Sequence, residues 1–145
     1  MRDPLRPGLW LTLVGVLAIS VADADGPIPP RFDTTQISAQ QWSAYLAEVK
    51  ALPDAQCREA PANQYICDSS AKRTIWVFTR EGHAAHPAVS RGVMVIQQTA
   101  QGATVGIDRS SHYAGDRAAF DAWMKEFAPL DHKQVAQWQA MLQPK

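Results

Sequence analysis

The chain is short of almost everything that would name an activity at sight. Its 14 basic side chains are matched by 14 acidic ones, so it lacks the basic excess with which a nucleic-acid-binding domain neutralises phosphates. There is no glycine-rich phosphate loop, no Gly-x-Ser-x-Gly elbow, no His-Glu-x-x-His helix and no internal repeat or low-complexity tract. Cysteine is limited to Cys57 and Cys67, and the single asparagine, Asn63, is followed by Gln-Tyr and offers no glycosylation site. At 46% hydrophobic residues the chain is too apolar for a disordered tail, and 145 residues suit one domain with a real core.

The one long apolar run lies at the N-terminus. Arg2 and Arg6 precede thirteen uncharged residues, Leu9 to Val21, and Ala22-Asp23-Ala24 then supplies the small-x-small pattern of a signal peptidase site. The run is too short to span a bilayer, which needs about 20 apolar residues. Residues 1–24 therefore read as a signal peptide, with membrane contact only before cleavage. No cysteine follows the run to accept a lipid. Cleavage would remove Arg2, Arg6, Asp3 and Asp23, leaving 12 residues of each sign, so the exported chain stays neutral. An exported chain with two cysteines is expected to join them: Cys57–Cys67 would close an eleven-residue loop worth roughly 2.7 kcal/mol. The predicted location is periplasmic or secreted.

Residues 25–36, with Pro27, Pro29 and Pro30, read as an extended lead-in to a single domain over 37–145. Ser38 and Gln41 form a capping box, and Trp42, Tyr45, Leu46 and Val49 give the following helix an apolar stripe ending before Pro53. Strands are predicted at 64–68, 73–80, 91–98 and 103–108, the second apolar on both faces through Ile75/Val77 and Trp76/Phe78 and hence central. Thr99 to Gly102 is a hairpin turn. Two helices should close the chain, one capped by Asp116 and ended by Pro129, the other capped by Asp131. The expected fold is α+β: an antiparallel meander of three to four strands, with one N-terminal and two C-terminal helices on one face. Trp42, Trp76, Trp123 and Trp138 share stripes with aliphatic neighbours and read as core.

Three polar groupings are candidates for function. His83 and His86 lie in Gly-His-Ala-Ala-His-Pro between the two strongest strands. With His112 as a third ligand they are candidates for zinc or copper, although Pro87 draws His86 away from the helical geometry that chelation at this spacing needs. Ser111, His112 and Asp108 hold the residue types of a hydrolase triad, but neighbours in an extended segment point to opposite sides. Arg73, Arg80 and Arg91 could ring the histidine loop and suit an acidic partner or a carboxylate. The leading expectation is a disulfide-stapled binding module without catalysis or cofactor, of inhibitor, immunity or accessory type. It would recognise a protein or cell-envelope component through His83, His86, Arg91, Arg109, His112 and Tyr113, given that the two polar segments meet. The alternative is a metal-binding protein or metal-dependent hydrolase using the His83/His86 loop.

Overall fold

The computed structural model describes residues 32–143; the signal peptide read at 1–24 and the lead-in up to 31 lie outside the described residues. The chain is α+β. Helix α1 (Ala39–Lys50) is followed by strands β1 (Gln56–Ala60), β2 (Gln64–Ser69), β3 (Thr74–Thr79), β4 (Ala88–Thr99) and β5 (Gly102–Tyr113), then helix α2 (Arg117–Leu142). The strands form one antiparallel sheet in chain order. The α1 start is as its sequence dictates: Gln41 N–H donates to Ser38 Oγ at 3.0 Å and Ser38 N–H to Gln41 Oε1 at 2.8 Å.

The sheet has five strands rather than three or four. The additional one, β1, reads Gln-Cys-Arg-Glu-Ala, an edge strand with no apolar alternation to announce it. Pairing places Cys57 directly opposite Cys67, where the two are joined by a disulfide. Such a bond points to an oxidising, non-cytoplasmic location. The β1–β2 turn is made by Ala62 and Asn63, both at positive φ, which matches the twist of a two-stranded ribbon.

The helices do not share a face. Successive strand residues point to opposite sides, and on β3 both sides are apolar. Trp76 and Phe78 pack with Tyr45 and Val49 of α1, while Val77 packs with Phe120, Trp123 and Phe127 of α2. A strand buried on both sides needs a cover on each, so the expected one-sided arrangement gives way to three layers. Two of the indoles on the α1 side are satisfied there: Trp76 Nε1–H donates to the Tyr45 hydroxyl at 3.0 Å, and Trp42 Nε1–H to the Ala88 carbonyl at 2.9 Å, whereas Trp123 Nε1 on the α2 side is buried with no partner among the described residues.

The expected pair of C-terminal helices is a single helix of 26 residues running through Pro129. Both halves are fastened to the same strand. Phe120, Trp123 and Phe127 are buried in the first half. In the second, Asp131 grips Arg109 of β5, and Gln139 spends its side-chain amide on the β5 edge, accepting from Val105 N–H and donating to the Ala103 carbonyl, each at 3.0 Å. Asp131 is thus a clamp rather than a cap. Pro129, being exposed, costs mainly one helical hydrogen bond and local crowding. Pro129→Ala is expected to raise unfolding stability by about 2 kcal/mol, the helix-interior penalty less the entropy proline removes from the unfolded chain. Urea denaturation checks this, and a fall in stability would contradict it.

Candidate functional site

The two polar segments do meet along the chain's backbone. The loop 80–87 is folded tightly by His83 N–H on the Arg80 carbonyl and His86 N–H on the His83 carbonyl, both at 3.0 Å. Ala114 N–H donates to the Pro87 carbonyl at 2.8 Å, and a Cβ at Gly115 would stand 2.5 Å from the His86 carbonyl oxygen, so only glycine fits this approach. The His86–Pro87 bond is cis.

Side chains from these segments nevertheless part to opposite faces. His83 Nδ1 accepts from Ala85 N–H at 3.0 Å, and its ring stands edge-on to Trp123 of α2. His86 Nδ1 lies 3.0 Å from Thr79 Oγ1, and its ring stands edge-on to Trp42 of α1. His112 Nδ1–H donates to the Thr34 carbonyl at 2.8 Å, since a carbonyl only accepts, and meets the Phe32 ring. Among the described residues no three His, Cys, Asp or Glu side chains converge in a way that could hold a metal ion.

Strands β4 and β5 are longer than their apolar cores suggest. Strand β4 begins at Ala88, three residues before the expected start at Arg91, and β5 takes in the whole of 109–113, in the register Ala88↔Tyr113, Ser90↔Ser111 and Arg91↔Ser110. Arg109, Ser111 and Tyr113 consequently face α2. Arg109 donates bidentately to Asp131, from Nε at 2.6 Å and from Nη2, while Nη1 donates to Ser90 Oγ at 2.8 Å and the guanidinium lies 4.3 Å over the Phe127 ring. The guanidinium thereby ties α2, through Asp131 and Phe127, to β4, through Ser90. Ser111 Oγ shares a hydrogen bond with Ser90 Oγ at 2.8 Å, away from His112, and Tyr113 stacks on Phe120. Arg80 is paired with Glu59 at 3.1 Å, and Arg73 lies at the far end of β3 from the histidine loop, so the three arginines form no ring.

Arg91 is different. Its register partners Trp76 and Ser110 put it on the α1 side, with His112 two residues further along β5. It is only 4% exposed, yet Nε and Nη1 are buried with no hydrogen-bond partner, and no carboxylate of the described residues is within ion-pair distance. A buried guanidinium left unpaired is costly, by several kcal/mol. It lines a cavity of about 210 Å³ together with Phe32, Asp108, Ser110 and His112. Burial holds the His112 pKa below its usual 6.5, with the Arg91 charge acting in the same direction against the raising effect of the Thr34 and Thr35 carbonyls. Burial likewise raises the Tyr45 pKa, opposed by the Trp76 hydrogen bond, by the Arg91 charge and by a hydrogen bond between the Arg91 side chain and the Tyr45 hydroxyl.

The α1-side face continues past this cavity. Asp108 also borders a second depression of about 340 Å³, lined by Val95, Gln97 and residues 104–107. Phe32 is the cavity residue that sequence reasoning missed, because it falls in the proline-rich lead-in. The end of that segment is pinned to β5, with Tyr113 N–H on the Thr35 carbonyl at 3.0 Å and Ile37 N–H on the Tyr113 carbonyl at 2.9 Å.

Two outcomes are expected from this geometry. Arg91→Met, which keeps an unbranched stem but removes the unpaired charge, should raise unfolding stability by about 1–3 kcal/mol; a denaturation midpoint below wild type would refute the unpaired state. His112 binds protons more readily unfolded than folded, so stability should fall as pH is lowered through 6.5 toward the depressed folded value. His112→Gln should flatten that fall in urea midpoints measured between about pH 5 and 8, and an unchanged slope would count against it. No family model matches this chain, and no curated protein or solved structure does so either.

Proposed function

We propose that the protein is a small binding module working outside the cytoplasm, in the periplasm or after secretion, that recognises a carboxylate-bearing protein or cell-envelope component without transforming it. One observation carries this reading: Arg91 is buried with Nε and Nη1 unsatisfied, and it borders a cavity without meeting an acid among the described residues. A guanidinium is charged at every working pH and presents a planar fork that suits carboxylates. Its counter-charge is therefore expected from the partner. The uncovered β4–β5 face beyond Asp108, with Val95 exposed on it, gives a larger partner room to lie down.

Of the binding residues expected from sequence, Arg91 and His112 stay in this proposal. His83, His86, Arg109 and Tyr113 act in support, holding the loop and α2 in place. The disulfide supports the location, and no helix of the described residues is long and apolar enough to cross a membrane.

Immobilised protein incubated with envelope extract tests the face directly. Arg91→Met and Val95→Glu should each lower capture at least about tenfold, whereas Leu130→Glu, on the outer side of α2, should leave it unchanged. Capture that survives Arg91→Met, or that is lost equally in all three variants, would overturn the proposal.

A further inference from the structure

Resting on the reading of Arg91 as a carboxylate seat, we infer that the group bound there is an α-aminocarboxylate, a zwitterion with its ammonium on Asp108. Asp108 and Arg91 border the same cavity of about 210 Å³, yet they form no ion pair, and Asp108 has no other salt-bridge partner among the described residues. Both belong to the α1-side face: Arg91 lies opposite Ser110, and Asp108 stands two residues from Ser110 along β5, about 7 Å away. A buried cation and an exposed carboxylate on one face, neither with a counter-charge among the described residues, fit a ligand that carries both counter-charges. A dianion such as phosphate would satisfy Arg91 but meet repulsion from Asp108. A plain carboxylate would leave Asp108 unused.

The remaining walls suit the same ligand. The Ser110 hydroxyl, directly across from Arg91, both donates and accepts and is placed between the two charges. His112 is held by the Thr34 carbonyl through Nδ1–H, which leaves Nε2 as an acceptor on the neutral ring. Phe32, braced edge-on by Tyr45 and His112, supplies apolar surface for a small side chain. The volume corresponds to about seven water molecules at ~30 Å³ each, enough for the five heavy atoms of an α-aminocarboxylate and a short substituent.

Calorimetric titration of the secreted chain with alanine, propionate and ethylamine separates the two charges. Alanine is expected to bind one to one, propionate at least about tenfold more weakly, and ethylamine not measurably. Asp108→Asn should weaken alanine about tenfold and leave propionate no weaker, the repulsion from Asp108 being gone, while Arg91→Met should weaken both by about a hundredfold. Arg91→Lys, which keeps the charge and loses the fork, should fall between wild type and Arg91→Met. Propionate binding as tightly as alanine would overturn the zwitterion and leave the carboxylate seat standing. Absence of binding by both would overturn the seat as well. Excess alanine displacing the captured envelope partner would show that the partner carries the same group; capture undisturbed by bound alanine would make the free amino acid the ligand. Either result, with alanine bound through Arg91 and Asp108, bears the inference out.

Discussion

The two-sided burial of β3 governs the architecture. Trp76 and Phe78 on one side and Val77 on the other cannot all be covered by helices on a single face. The sheet must therefore be sandwiched, and each neighbouring feature follows. Helix α1 is fixed by Tyr45 and Val49 against the Trp76/Phe78 side, its angle set by the indole bonds to Tyr45 and Ala88. On the other side α2 follows β5, held by aromatic packing at one end, the Arg109 clamp in the middle and the Gln139 amide near its last turns.

Alternation along β4 and β5 then separates polar residues that lie close in sequence. Arg109 and Arg91 are on facing strands, almost in register, and their fates differ because they point to opposite layers. The α2 side supplies Asp131, Ser90 and Phe127, and Arg109 becomes a structural bolt. On the α1 side no acid of the described residues pairs with Arg91, Asp108 included, and α1 is too short to cover the far part of β4–β5. Arg91 is left buried beside a cavity, with Nε and Nη1 unsatisfied and no carboxylate of the described residues paired to it. Natural domains rarely keep such a charge without a partner, because a hydrophobic residue of similar volume would fold at least as well. The same alternation sends Ser111 to Ser90 and His112 to Phe32.

Much of the fold was legible because it depends on local chemistry. The Ser38/Gln41 box, the α1 stripe, the β3 pattern and the two-residue hairpin at Thr99–Gly102 all stand where their residues direct. The strand β1 was hidden because an edge strand stapled by Cys57 needs no apolar alternation. Helix α2 was split at Pro129 because a proline's local cost is visible in sequence, whereas the long-range grip of Asp131 on Arg109 is not. For the site, Arg91 and His112 could be named as polar candidates, and Asp108 was noticed for another chemistry. What sequence could not supply was the strand register that unites them with Ser110, or the return of Phe32 to the sheet. Those are tertiary facts, set by pairing partners far apart in the chain.

In the proposal Arg91, buried and without a carboxylate partner among the described residues, awaits an anionic group. Its side-chain Nε–H resonance in ¹⁵N NMR reports this most directly. A signal protected from exchange with water in the free protein, which shifts when alanine is added, is expected. A signal exchanging as fast as that of an exposed arginine, or one that alanine leaves in place, would contradict it.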